Sequence, residues 1–395
     1  MTSVGVLGSY GGRNLGDEAI LTSILADLRA RRPDVDVLVF SREPGHTAAA
    51  HPDVQVAAWE GVSRDRVAAE LRRLDMLVLG GGGILYDTEA RRYLRVVRTA
   101  QEQRVPVFTY ALGAGPLTEE ADCAMVRDAL AQAVEVTVRD EESKVALEEA
   151  GVNCRVRVTA DPALLLAPEE FDIGTLRESL PAGRRVVGMS VREPGRAAQH
   201  LDADGYHQLL AHVGDFIVHR LDATLLFVPM ERSDIRHAHA VLARMTAAEH
   251  CRVLHGDYRP GQILDLMKHL DLAVGMRLHF LIFAALAGVP LLALPYAGKV
   301  FDFAQRIGAP VPRGVVREAA GPLLAQVDRL WDERPQRLEV TASRVAALKQ
   351  RATETGRRLG AQLERAKVPA AQRRAANHGR RVGSGRRRSA AEVAA

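Results

Sequence analysis

A chain of 395 residues, 47% apolar and 26% charged, is long enough for two hydrophobic cores and has the composition of an ordinary soluble globular protein, which excludes extensive disorder. The net charge of +4 sits at one end: residues 367–395 hold Lys367, Arg373, Arg374, Arg380, Arg381, Arg386, Arg387 and Arg388 against Glu392 alone. The remainder is mildly acidic, which is not the profile of a nucleic-acid-binding domain.

Three widely spaced cysteines, Cys123, Cys154 and Cys251, fit neither a disulfide framework nor a zinc site and read as small buried hydrophobes. The first strand begins almost at Met1, which argues against a secretory signal and for a cytoplasmic protein.

Ser3–Gly8 reads as a buried strand, and the following GSYGGRNLGDEAIL feeds a helix carrying Ile20, Leu21, Ile24, Leu25 and Leu28 on its apolar face. Gly8, Gly11, Gly12 and Gly16 let the backbone come close to a ligand, while Asn14 and Asp17 stand where a cap or a polar contact belongs. Neither a dinucleotide fingerprint nor a P-loop is present. For Asp17, a plain N-cap competes with a catalytic role.

Strands follow at Val35–Phe40, near Val54–Ala58 and at Met76–Leu79, with a helix around Val62–Arg73. The run Gly80, Gly81, Gly82, Gly83 has no packing purpose that Ala would not meet better, so it implies close approach of a ligand or of an opposing domain. Strands at Val105–Leu112, Val134–Val138 and Val156–Thr159 alternate with helices at about Glu119–Ala131 and Glu141–Ala150, the pattern of a parallel, doubly wound sheet. Residues 1–170 thus form one Rossmann-like domain, and 171–182 a linker.

A second such domain spans 183–330. Its first strand delivers Arg192 at its carboxyl end, and Glu231 follows the next strand, Thr224–Val228. In LAVGMRLHFLIFAALAGVPLLALPYAGKV a buried strand runs into a short loop and a helix apolar on every face, stopped by Gly288-Val289-Pro290. Arg277, Leu278 and His279 therefore lie at a helix N-terminus on a strand's carboxyl edge, a ready anion site, and Lys299 follows the next strand. The bland alternative pairs Arg277 with an acid such as Asp271 and buries His279 in the core. Residues 331–366 read as a long polar helix and 367–395 as a disordered basic tail that an anionic membrane or polymer could attract.

Two α/β domains in tandem facing a cleft have the layout of GT-B glycosyltransferases. Taken together, NLGDEAIL, GGGGIL, ALGAGPL, VRDEESKVALEEAGV, ADPALLL, SVR and GMRLHFLIFAALAGVP with YAGKV resemble the polysaccharide pyruvyl transferase family over about residues 3–308, most closely the bacterial enzymes acting on cell-surface polymers. YAGKV departs from the commoner Tyr-Asp-x-Lys-Val. The resemblance implies phosphoenolpyruvate as co-substrate, no other cofactor, and a sugar acceptor, free or lipid-linked, that receives a pyruvate ketal.

Under that reading Arg277, Leu278, Arg192 and Lys299 bind phosphoenolpyruvate and His279 is the acid/base or phosphate donor. Asp17 deprotonates the acceptor, and Gly11, Asn14, Gly16, Gly81, Gly82 and Gly83 form the acceptor loops. No metal site is expected, because no His/Cys/Asp cluster has metal-ligand spacing. The rivals are a nucleotide-sugar glycosyltransferase, with Glu231 on the ribose, and an inactive scaffold tethered by its tail.

Overall fold

The computed structural model describes residues 2–174, 176, 183–194, 201–294, 297–312 and 320–367. Most of the expected linker and all but the first residue of the basic tail lie outside them.

The N-terminal domain contains β1 (Thr2–Leu7), β2 (Val35–Ser41), β3 (Gln55–Ala58), β4 (Met76–Leu79), β5 (Gly82–Leu85), β6 (Val107–Thr109), β7 (Leu112–Ala114), β8 (Val136–Val138) and β9 (Val156–Val158). They form parallel sheets of order β3-β2-β1-β4-β6 and β5-β7-β8-β9, tied where Phe108 bridges Glu135. Nearly unbroken apolar strands such as MLVL, buried at every position, are what a sheet covered on both faces requires. The strand expected over Val105–Leu112 is interrupted: the chain leaves β6, turns through Tyr110 and Ala111, whose φ is 49°, and resumes as β7. The glycine run acts likewise, since Gly82 and Gly83 begin β5 rather than lying in a loop.

The C-terminal domain repeats the plan with β10 (Arg185–Ser190), β11 (Ala223–Phe227), β12 (Cys251–Val253), β13 (Leu272–Gly275) and β14 (Leu291–Ala293), parallel in the order β12-β11-β10-β13-β14. Each sheet therefore reverses direction beside its first strand, between β1 and β4 and between β10 and β13. The crevice at such a reversal is where open α/β sheets place ligands. The loop after β1 and the turn after β13 come from the two crevices.

The two domains meet directly. Leu15 N donates to Met230 O at 2.9 Å, Glu169 N to Gly261 O at 3.0 Å, and Arg306 Nη1 to Arg139 O at 3.1 Å. The final helix, Arg334–Lys367, is polar in sequence but buries Val345, Leu348, Ala352, Thr355, Leu359 and Leu363, a stripe at helical spacing. That stripe carries it back onto the N-terminal domain, where Thr355 Oγ1 donates to Thr159 Oγ1 at 2.8 Å and Arg358 Nη1 pairs with Glu135 at 2.9 Å. The expected long polar helix is thus a strap between domains. Among the described residues no helix is long and apolar enough to cross a membrane.

Candidate active site at the domain junction

The turn after β13 places two side chains in opposite surroundings. Arg277, the N-cap of the helix Leu278–Leu286, is 8% exposed and does not pair with Asp271, whose carboxylate accepts from Val186 N at 2.9 Å. Its Nε donates to Asp234 Oδ2 at 3.0 Å and its Nη2 to Glu231 Oε1 at 2.6 Å, with Glu193 3.9 Å away. Arg192 pairs with Glu193. The acids Glu193, Glu231 and Asp234 have carboxylate oxygens within 4.8 Å of one another, a gathering invisible to sequence spacing, and Arg277 sits among them. Burial pushes the Asp234 carboxyl up against the opposing pull of Arg277, whereas at Glu231 Arg277, Ser233 and Asn14 outweigh burial and hold the carboxyl low. Asn14 reaches this cluster from the other domain, donating from Nδ2 to Glu231 Oε2 at 2.6 Å.

His279, two residues on, turns toward the N-terminal domain. Its ring packs on Gly16: a Cβ there would lie 1.9 Å from Nδ1, so any side chain at this position would collide. The imidazole Nε2 is buried, makes no hydrogen bond among the described residues and faces Asp161 Oδ2 at 3.6 Å. Asp161 is held by its own neighbours, accepting from Ala163 N at 3.0 Å and from Arg139 Nη1 at 3.1 Å, and Arg139 Nε donates to Asp140 at 3.1 Å. Burial alone would raise the Asp161 carboxyl, but His279 and Arg139 outweigh it and hold it far below the usual carboxylate range.

Asp17 completes this side. It is not the N-cap of its helix: Asn14 Oδ1 takes that role, accepting from Gly16 N at 3.0 Å and Asp17 N at 3.3 Å. The Asp17 carboxylate is left to face Gly82, with Oδ1 3.2 Å from where a Cβ would stand. Burial pushes its carboxyl up, against His279, Ser9, Arg42 and Lys299. Lys299 lies in the first turn of the helix Gly298–Ile307 and lines a small cavity with Leu278, Arg139 and Asp161.

The expected phosphoenolpyruvate set is therefore divided. Lys299 and Leu278 stand with His279, while Arg277 and Arg192 engage the acidic trio. Of the glycines, Gly16 and Gly82 border His279 and Asp17, and Gly83 borders Arg139. Gly81 is approached by Ile20 and Pro162, and Gly80 by Tyr10, so much of the glycine run admits neighbours from its own domain rather than from across the cleft. Gly11 adopts φ +76° and donates its N–H to Glu18 Oε1 at 2.8 Å.

Beyond Glu193 and Asp234 around Arg277, three participants were missed in the sequence: Arg139, Asp161 and Glu18. The first two end or follow strands, within VRDEESK and ADPALLL, and carboxyl-end position was the available signal. Glu18, inside NLGDEAIL, is buried with Oε2 lacking a hydrogen bond among the described residues, and burial pushes its carboxyl up to about 7. Nothing in its helical context marks it.

Two Rossmann-like domains, a shared cleft and a C-terminal strap define the GT-B class of fold. Anabaena HepE in complex with UDP matches with a TM-score of 0.63 at 15% identity, over 92% of this chain and 100% of that one. The Staphylococcus aureus MnaA–UDP structure matches at 0.60 and 10% identity, over 87% and 91%. A putative UDP-N-acetylglucosamine 2-epimerase from Listeria monocytogenes matches at 0.59 and 13% identity, over 86% and 90%. No curated protein matches the chain. The polysaccharide pyruvyl transferase family model matches residues 14–298, from the Asn14 cap to the helix that carries Lys299, and the chain belongs to that family. It is accordingly a transferase of polysaccharide biosynthesis.

Proposed function

We propose that the protein transfers pyruvate from phosphoenolpyruvate onto two hydroxyls of one sugar in a cell-surface polysaccharide or its lipid-linked precursor. The observation that carries this reading is the convergence of His279, Asp161, Arg139 and Lys299 with Asp17 across the domain junction in a member of the family. Phosphoenolpyruvate binds against Lys299 and the open N–H groups of the helix Leu278–Leu286, where cations and the helix dipole favour its anions.

Protonated His279, steadied by Asp161, gives its proton to C3 of the enol, and C2 becomes electrophilic. Asp17, whose raised carboxyl suits a proton acceptor, takes the proton of the first sugar hydroxyl as its oxygen bonds to C2. The C2–O bond to phosphate then breaks, phosphate leaves with the proton that Asp17 took, and the second hydroxyl adds to C2 and closes the ketal, giving its proton to His279, which is thereby restored. Lys299 offsets the charge that builds on the departing phosphate. Arg277 acts beside this chemistry, holding the domains in register through Glu231 and Asn14, and Arg192 pairs with Glu193 next to it.

The test is phosphate release from phosphoenolpyruvate across a panel of free and lipid-linked acceptors, with mass analysis of the acceptor. Acceptor-dependent phosphate and an added carboxyethylidene group are expected. Stabilisation by UDP without any effect of phosphoenolpyruvate, and no phosphate with any acceptor, would overturn the reading in favour of nucleotide-sugar chemistry.

A further inference from the structure

Among the described residues only Tyr86 and Phe301 expose a large aromatic side chain, at 38% and 44%, and Phe301 belongs to the helix Gly298–Ile307 of the other domain. Tyr86 follows β5 at its carboxyl end, the edge where parallel strands present groups to ligands. Trp59 and Tyr93, by contrast, are buried and pack on each other at 5.1 Å between centroids. A single exposed ring is ordinary on a protein surface. The loop that carries this one is not. The Asp87 carboxylate accepts from Thr118 N at 2.8 Å, Thr118 Oγ1 at 2.7 Å and Glu119 N at 3.1 Å, and Asp87 N donates to Pro116 O at 3.0 Å. Thr88 N donates to Asp122 Oδ2 at 2.8 Å, and Tyr86 O accepts from Ala90 N at 3.0 Å. Thr88 is held at φ 69°, a left-handed conformation that a β-branched residue adopts only under strain. Strain of this kind persists where surrounding bonds over-determine the backbone, and it gathers at ligand sites. The same bonds fix the backbone under Tyr86 before a ligand arrives, which lowers the ordering cost of binding.

The same strand leads back to Asp17. Asp17 Oδ1 borders Gly82, the first residue of β5, and four residues at about 3.3 Å each put Tyr86 at most ~13 Å further along the chain. Burial of part of its side chain raises the Tyr86 hydroxyl, and so do Glu89, Tyr93 and Asp17, against Arg42, so the ring lies within the field of Asp17. We propose that Tyr86 is the stacking platform for a second sugar of the acceptor, the neighbour of the sugar whose hydroxyl Asp17 deprotonates. The inference rests on the pyruvyl transfer reading and deepens it. One face of a pyranose carries C–H groups and lies flat on an aromatic ring, while the hydroxyls at its rim stay in water, which is what a part-exposed tyrosine offers. The acceptor class that follows is an oligosaccharide of at least two residues rather than a single sugar.

The experiment is binding of the labelled full chain, without phosphoenolpyruvate, to an array of mono-, di- and trisaccharides of glucose, galactose, mannose and N-acetylated hexosamines. At least one di- or trisaccharide should bind roughly 5-fold or more tightly than its component monosaccharides. Tyr86→Phe, which keeps the flat ring, should bind like the parent. Tyr86→Ala and Tyr86→Leu, which lose it, should bind about 5- to 10-fold more weakly, with the melting temperature unchanged because the side chain is exposed. On an acceptor that is turned over, Tyr86→Ala should raise the acceptor KM by the same factor and leave the phosphoenolpyruvate KM unchanged. No saccharide bound by the parent, equal binding of single and linked sugars, parent-like binding by the Ala or Leu variant, or a Phe variant as weak as Ala would overturn the proposal. Since the array contains no donor, its failure leaves the transfer reaction untouched, and failure of the transfer assay leaves the binding result standing.

Discussion

Arg277 and His279 share one turn and one helix N-terminus, yet one is surrounded by carboxylates and the other faces a carboxylate it does not touch. Arg277 spends its guanidinium on Asp234 and Glu231, and through Glu231 it reaches Asn14 of the opposite domain. His279 packs on a glycine and keeps a buried Nε2 without a hydrogen bond among the described residues. A buried group fully paired is committed to structure, whereas a buried polar atom left unmade costs stability and is retained where chemistry uses it. The same strand end thus supplies an interdomain latch and, in the proposed reaction, the acid, and position alone does not separate them.

The contrast is broken most severely by removing His279. Its replacement by Ala should lower kcat by about 10²–10⁴, the usual contribution of a positioned acid or base, while the melting temperature stays near that of the parent. Steady-state kinetics beside thermal unfolding reads both.

Asp234→Ala should do the reverse. It leaves Arg277 buried with its closest partner gone, a change that typically costs about 3–5 kcal/mol of stability, so urea unfolding should shift strongly. At temperatures where the variant remains folded, kcat should fall by much less than in His279→Ala.

Asp161→Asn should lower kcat roughly 10-fold or more, because it removes the carboxylate charge that faces His279 Nε2 at 3.6 Å. It has a second signature. Because the folded Asp161 carboxyl lies below its ordinary value, its contribution to stability is complete above pH ~3.9 and is lost as pH falls through the folded value. The stability gap between parent and variant should therefore close on acidification below that pH.

Glu18→Gln probes the opposite shift and should have the smallest effect on turnover. The Glu18 carboxyl is raised from 4.5 to about 7, so the protonated form favours folding, and that advantage fades as pH rises from about 4.5 through 7. Gln keeps an acceptor for Gly11 N–H without the charge. Relative to the parent, the variant should gain stability across this window, by up to roughly 3 kcal/mol at 1.36 kcal/mol per unit. A constant difference from pH 5 to 8 would remove Glu18 as the source.

The fold was legible because its signals are local. Strand and helix periods alternate down the chain, and Gly288-Val289-Pro290 ends the helix after His279 where the sequence says it must. The final helix was legible only as a helix, since its buried stripe is spaced among many charges and its partner is a domain some 200 residues earlier. The site was half legible. His279, Asp17, Gly16 and Lys299 meet near the same junction, but the partners of Arg277 come from Glu231 and Asp234, over forty residues away, and sequence offered only the nearer Asp271. Asn14 rather than Asp17 caps the first helix because its side chain, one residue before the helix begins, reaches both open N–H groups. That frees Asp17 for the cleft.

The most direct measurement is turnover in D2O with phosphoenolpyruvate and a competent acceptor, followed by NMR and mass analysis of the product. The account predicts a pyruvate ketal whose methyl group carries a single solvent-derived deuterium. It further predicts formation slowed by about 10²–10⁴ in His279→Ala and far less affected in a folded Asp234→Ala variant. A His279→Ala protein of normal stability that makes the ketal at the parent's rate, or a product without solvent deuterium at C3, would contradict it.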